Sequence, residues 1–315
     1  MKVVVARTLP AAGLDMLEER FEVETGGIPL DREWLLEHTA GASAIVADPT
    51  VPVDGELLER AGESLKVVAN FAVGFDNIDT EAVRERGLRA TNTPNVLTNA
   101  TAELAVALMQ AAGRRIVETD QIFRRGEWTG WEPEQFLGRE LAGATVGLVG
   151  FGRIGQRVAE LLRGFEPELV FSDAHPMQEA AFRHDAQRLE TDDLLARADY
   201  VSLHVNLTPE TKHMFDAERL AKVKEGAVLV NTCRGAVVDT AALVDALRDG
   251  PLAAVGLDVY EDEPKVPADL VALPNTVLVP HIGSATRVTR DAMATLCAEN
   301  VIAVLDGDEP PTPVV

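Results

Sequence analysis

Cysteine is nearly absent from this chain, with two in 315 residues. Cys233 and Cys297 lie in different segments without metal-type spacing, which argues against a disulfide framework or a zinc site and fits a reducing, cytoplasmic compartment. Lysine is also scarce, six against twenty-three arginines, and the net charge is −22. Such a negative field repels nucleic acid and anionic membranes, so neither is expected as a partner. Long apolar runs are missing too. The opening MKVVVART has four apolar residues between charges, too few for a signal-peptide core, and no run approaches the ~18 residues of a membrane span.

What is present is enough apolar residue, 46% of the chain, for two cores. Residues 1–92 alternate apolar strands (3–6, 21–25, 44–48, 66–70, 88–92) with helical stretches carrying Leu14/Leu17, Leu35/Leu36 and Leu57/Leu58, the rhythm of a parallel βαβ sheet. A second series, at 145–150, 168–173, 199–204, 227–232, 253–259 and 276–280, predicts a six-strand doubly wound domain. Between the two, 98–113 is apolar on nearly every face, as expected of a helix covered by core and by a second subunit. The Gly- and Pro-containing segment 126–138 carries Trp128 and Trp131, either a docking arm of a homodimer or an ordinary surface loop. A final helix over about 285–305 is expected to return to the first domain.

The segment Gly150-Phe-Gly152-Arg153-Ile154-Gly155 follows a strand and opens a helix. The first glycine permits the tight turn, the second lets backbone approach a pyrophosphate, and the third packs helix on strand. Asp173 ends the next strand, where a carboxylate accepts from both ribose hydroxyls of NAD and repels a 2′-phosphate. Alone, the glycine motif is weak; strand, glycines, helix, strand and acid in order make an NAD site.

Three charged residues sit after later strands: Arg234 in NTCRGAVVD, Glu263 in DVYEDEP and His281 in PHIGSAT. Singly, each has an ordinary reading, as a strand cap, a solvated turn and a structural histidine. Their shared position at strand ends of a dinucleotide fold makes them a site. A cation, a carboxylate and an imidazole there make a proton-transfer site with an anion clamp, and a hydride from NAD delivered to a carbonyl carbon would require a proton at its oxygen. His281 would give that proton, an imidazole serving as acid in one direction and as base in the other. Glu263 would fix its tautomer, and Arg234 would clamp a carboxylate with a planar fork that lysine lacks. His175, His184 and His213 have no such context, and His204 ends a strand near the cofactor without a partner that the sequence names.

With VGFDNID (73–79), TNTPNVLTNATAELAVALM (91–109), GEWTGWEP (126–133), VGLVGFGRIGQ (146–156), NTCRGAVVD and PHIGSAT together, the chain resembles the D-isomer-specific 2-hydroxyacid dehydrogenases over its full length, on the glyoxylate/hydroxypyruvate reductase branch. The resemblance implies an α/β fold of two doubly wound parallel-sheet domains. A Rossmann NAD domain (98–284) is inserted into a flavodoxin-like substrate domain (1–97), the helical tail 285–315 returns to the latter, and hinges lie near Asn95–Thr101 and Gly283–Arg287. It further implies that the backbone of Val73 and Gly74 holds the substrate carboxylate and that Thr101, Asn206, Thr211, Thr232 and Cys233 line the cofactor. Asp258 would hold the nicotinamide carboxamide, and a partner subunit's Trp131 would face the substrate. Asn206 departs from the usual Pro or Ser and Asn99 from the usual Glu or Asp.

The implied function is NAD(H)-dependent interconversion of small 2-keto and D-2-hydroxy acids. Phosphite oxidation is disfavoured because the substrate loop has Ala72 or Val73 where that enzyme carries lysine, and a phosphoglycerate dehydrogenase of the long form would carry a regulatory domain. A NAD-sensing corepressor-like binding module would retain the same trio, but the basic or Pro/Ser-rich extensions of such proteins are missing here.

The arginine bias and acidic surplus fit a salt-adapted host. Between low and molar salt, where self-repulsion is screened over ~3 Å, the thermal unfolding midpoint should rise; a flat or falling midpoint would remove this reading.

Overall fold

Runs of valine, isoleucine and alanine become the strands, because branched side chains suit a pleated sheet covered on both faces. The computed structural model describes all 315 residues, which divide into two compact units, Met1–Leu97 with Ser284–Val315, and Thr98–Gly283. In the first unit, β1 (Lys2–Val5), β2 (Glu22–Thr25), β3 (Ala44–Ala47), β4 (Val67–Asn70) and β5 (Arg89–Thr91) form one parallel sheet in the order β2-β1-β3-β4-β5. Every residue of β3 and β4 is buried, whereas β2, at the edge, buries none fully.

Three of the four helices between these strands begin on aspartates. Asp31, Asp54 and Asp79 accept the backbone N–H of Trp34, Leu57 and Ala82, so part of the acidic surplus caps helices and complements their dipoles. The closing helix, Arg287–Asp306, starts on Thr286 and packs against Ala11–Glu18. Gly13 makes that contact possible, since a Cβ there would lie 2.2 Å from the Ala294 carbonyl oxygen.

In the second unit, β6 (Thr145–Val149), β7 (Glu168–Ser172), β8 (Ala186–Arg188), β9 (Tyr200–Leu203), β10 (Ala227–Asn231), β11 (Leu252–Leu257) and β12 (Thr276–Leu278) pair in the order β12-β11-β10-β9-β6-β7-β8, all parallel. The sheet therefore has seven strands where the sequence pattern predicts six. The extra one is β8, an edge strand of sequence AQR with only Ala186 buried, too short and too polar to show a strand signal. The chain winds outward in both directions from β6, which lies between β7 and β9, so the carboxyl ends of β6 and β9 flank the switch-point crevice where ligands bind in such sheets.

The helix Thr98–Gly113 lies on this sheet, burying Ala102, Ala105, Leu108, Met109 and Ala112. Its approach is close enough that a Cβ on Gly113 would meet the Tyr200 hydroxyl at 2.2 Å. Beyond the helix Ile116–Arg124, residues 126–138 have no helix or strand, and Trp128, Trp131 and Leu137 stand 49%, 80% and 66% exposed. No helix of the structure is long and apolar enough to cross a membrane.

Candidate active site

The first loop of the site is the glycine turn after β6. Gly150 has φ +90°, and a Cβ there would lie 2.5 Å from the His204 carbonyl oxygen, so both conformation and space demand glycine. Gly155 packs its turn of helix onto Gly150, with 2.3 Å between a would-be Cβ and the Gly150 oxygen. Gly152 is different. It caps the helix Arg153–Leu162 and faces open space, which leaves the helix N-terminus, including Arg153 and Ile154, approachable by an anion.

Asp173, just past β7, is fixed by this turn. Its Oδ2 accepts the Phe151 N–H at 2.7 Å and its Oδ1 the His175 N–H at 2.8 Å. Each carboxylate oxygen keeps a lone pair for a ribose hydroxyl. Two buried polar atoms beside the turn and on the β10 loop have no protein partner, His204 Nε2 and Thr232 Oγ1. Burial pushes the His204 imidazole down to about 4, so the ring is neutral near pH 7. An open helix N-terminus, an oriented carboxylate and unpaired polar atoms together fit a dinucleotide.

The second part of the site is built on the loops after β10, β11 and β12. Asn231, the last residue of β10, holds the first loop: its Oδ1 accepts the Cys233 N–H at 3.0 Å and its Nδ2 donates to the Arg234 carbonyl at 2.9 Å. Arg234 in turn donates to the Cys233 carbonyl at 2.9 Å. Gly235 then passes directly against the next loop, where a Cβ would fall 1.9 Å from the Tyr260 carbonyl carbon and 2.4 Å from the Glu261 nitrogen. Backbone lies on backbone there.

His281 and Glu263 meet with Nδ1···Oε2 at 2.8 Å, and the other oxygen of Glu263 accepts the Tyr260 N–H at 3.0 Å. Burial acts to raise the Glu263 pKa, but the hydrogen bond and charge of His281, the Tyr260 N–H and the Arg234 charge together hold it below the usual carboxylate range. The carboxylate is therefore ionised at neutral pH. His281 itself has φ +52°, a left-handed turn that is uncommon for a residue with a Cβ and is found at constrained sites.

Asp258, 1% exposed, anchors that turn by accepting the N–H of Ile282 at 2.5 Å and of Gly283 at 2.8 Å. Burial raises its pKa despite both donors. Thr101 adds a hydrogen bond to the Gly283 carbonyl at 3.3 Å. Thr211 closes the loop after β9 through the Asn206 carbonyl at 2.6 Å. Cys233, its thiol pushed up to about 11 by burial, is no nucleophile.

The second unit thus brings Arg234, Glu263 and His281 to one sheet edge with the glycine turn and Asp173. Val73 and Gly74 belong to the first unit, in the loop after β4, and Trp131 stands on the exposed segment 126–138. Sequence reasoning passed over Asn231, Tyr260 and the pair His213–Glu261, whose 2.6 Å contact is joined by Thr240 at 3.0 Å. Asn231 was legible as an Asx residue beginning a loop; the His213 contact, spanning 48 residues, had no local signal.

Gly235→Ala would force the Arg234 loop off the 260–261 backbone. Keto-acid kcat/KM should fall by about 10²-fold, the cost of a ~1 Å misplacement, with NADH affinity little changed. Full activity in that variant would show that the contact does not set the geometry.

Residues 106–283 match the family described as D-isomer specific 2-hydroxyacid dehydrogenase, NAD binding domain. The chain is 47% identical over 316 aligned residues to the glyoxylate reductase of Thermococcus litoralis, covering 98% of this chain and 95% of that protein. Among solved structures, a protein from Thermus thermophilus superposes with TM-score 0.91 at 48% identity, covering 100% of both chains. The NADPH-dependent glyoxylate/hydroxypyruvate reductase of Sinorhizobium meliloti, solved with NADP and malonate, superposes with TM-score 0.87 at 33% identity, covering 100% of this chain and 96% of that one. A glycine turn for a dinucleotide, a histidine–carboxylate pair at the same sheet edge and these likenesses along the whole chain have one explanation: the chain belongs to the D-isomer-specific 2-hydroxyacid dehydrogenase family.

Proposed function

We propose that the protein is a cytoplasmic enzyme that reduces small 2-keto acids to D-2-hydroxy acids with NADH, acting on glyoxylate and hydroxypyruvate. The observation that carries this reading is the 2.8 Å His281–Glu263 pair, set beside Arg234 at the edge of a dinucleotide-binding sheet. When bound, the nicotinamide dinucleotide supplies the hydride for the carbonyl carbon. Glyoxylate is the substrate named for relatives that match this chain from end to end.

His281 gives a proton to the carbonyl oxygen from Nε2, because Nδ1 is turned to Glu263. Glu263, kept ionised and held by the Tyr260 N–H, fixes the ring and stabilises its protonated form. In the oxidising direction the neutral imidazole takes the proton back. In the second unit, Arg234 pairs with the substrate carboxylate and draws charge toward the carbonyl oxygen. In the first unit, the backbone of Val73 and Gly74 is the loop proposed to bind a carboxylate. Thr101, Asn206, Thr211, Thr232 and Cys233 line the dinucleotide. Asp258 spends one lone pair of each oxygen on the loop of His281 and offers the others to a carboxamide. Asp173 favours NAD over NADP, since an oriented carboxylate repels a 2′-phosphate.

The active form proposed is a homodimer. A cavity of about 660 Å³ in the second unit is lined by apolar groups of Ala112, Leu137, Leu247, Leu273 and Val277. The helix Ile116–Arg124 and the segment 126–138 beyond it leave Phe123, Trp128 and Trp131 exposed, large apolar side chains that a second subunit would cover. Light scattering should give twice the chain mass, and Trp131→Ala should raise the keto-acid KM if the indole reaches a neighbouring site; a monomer of full activity would overturn the assembly.

NADH oxidation measured against glyoxylate, hydroxypyruvate, pyruvate and 3-phosphohydroxypyruvate tests the activity. The first two should give the highest kcat/KM, and no turnover on any would overturn the reading in favour of a NAD-binding module. His281→Ala should lower turnover by ~10²–10⁴ while NADH binding stays nearly intact. An equal loss of cofactor affinity would refute the assignment of the proton.

A further inference from the structure

The loop after β4 in the first unit has an unusual distribution of hydrogen bonds. Three consecutive peptide carbonyls are taken: Ala72 O by the Thr93 N–H at 2.8 Å, Val73 O by Asn92 Nδ2 at 2.7 Å and Gly74 O by Asn70 Nδ2 at 2.8 Å. All three donors sit at strand ends, Asn70 as the last residue of β4 and Asn92 and Thr93 immediately past β5. In a trans peptide the N–H points opposite to the C=O. Anchoring these carbonyls therefore turns the N–H groups of Val73, Gly74 and Phe75 away from the strand ends, and none of the three donates to a backbone carbonyl.

The anchors are themselves held. Asn70 is fully buried and exchanges hydrogen bonds with Asn77, whose Nδ2 also reaches the carbonyls of Asp48 and Val51 at 3.0 Å. The Asn92 main chain is fastened to the C-terminal tail, its carbonyl accepting the Thr312 hydroxyl at 2.6 Å. Two asparagine amides with fixed donors thus meet carbonyls that can only accept, which sets the direction of each peptide plane.

We propose that Asn92 and Asn70 are positioning residues that pre-orient the N–H groups of Val73, Gly74 and Phe75 as a three-donor cradle for the substrate's carboxylate. This rests on the reading of the 73–74 loop as the carboxylate site and extends it, adding Phe75 as a donor and naming what holds the loop. Successive N–H groups turned to one side form an anion-binding concavity. Such donors do not titrate and carry no net charge, so the grip on a carboxylate is independent of pH and needs no lysine in a chain that has six. The cradle recognises the carboxylate common to all 2-keto acids and not their varied side groups.

The test is Asn92→Ala, assayed with glyoxylate or whichever 2-keto acid the wild type reduces best. Loss of one oriented donor to an anion should raise the keto-acid KM about tenfold, with kcat and the NADH KM within about twofold and the unfolding midpoint little changed. A purely structural role would move the midpoint and both KM values together, and that result, or an unchanged keto-acid KM, overturns the proposal. If Asn92→Ala does not fold, the isosteric Asn92→Asp removes the donor without creating a cavity and is read in the same way. A second arm titrates oxalate, a dicarboxylate that cannot be reduced, into wild type and variant with NADH present. Should the wild type reduce no 2-keto acid, the functional reading fails, and oxalate alone decides the cradle. About tenfold weaker binding in the variant upholds it, and equal binding, or none to the wild type, overturns it.

Discussion

Backbone packed directly on backbone at the carboxyl ends of the strands is the constraint on which the site depends. Gly150 against the His204 carbonyl, Gly155 against Gly150, and Gly235 against Tyr260 and Glu261 are contacts that no Cβ would permit. Each draws one loop onto the next and so shortens the distance between the side chains those loops carry. A parallel sheet places its loops at one edge, but only close approach makes a cluster of them.

Charge in this protein is managed locally. The chain carries −22 overall, yet the candidate site has Arg234 and His281 set against Glu263, and in the first unit the loop after β4 has its carbonyls at 72–74 taken and its N–H groups at 73–75 free of backbone partners. Glu263 remains ionised because its partners outweigh its burial, whereas burial prevails at Asp258. The two carboxyls stand on the same loop, and environment separates their tasks: one faces the imidazole, and the other holds the turn that presents it.

Much of the architecture could be read along the chain. The strands appeared as valine-rich runs, and the helix 98–113 as an apolar stretch of the right length. What escaped was β8, where AQR buries one alanine and takes its pairing from Leu169, Val170 and Phe171 of β7. Of the site, the glycine turn with Asp173 and the charged trio were legible because each has a local chemical signature after a strand. Asn231, Tyr260 and the His213–Glu261–Thr240 group were not, since a polar residue in a loop looks the same whether it faces water or a loop remote in sequence.

The sequence by itself determined the class of fold, the family, the glycine turn and the charged residues of the candidate site, because periodicity, glycine and strand-end charges are local properties. Tertiary structure alone decided which atoms meet. The 2.8 Å approach of His281 to Glu263 requires β11 and β12 to lie side by side, and the outward peptide planes at 73–75 require asparagines from two strand ends. Orientation of a hydrogen bond is a property of two partners in space, and no single segment of chain contains both.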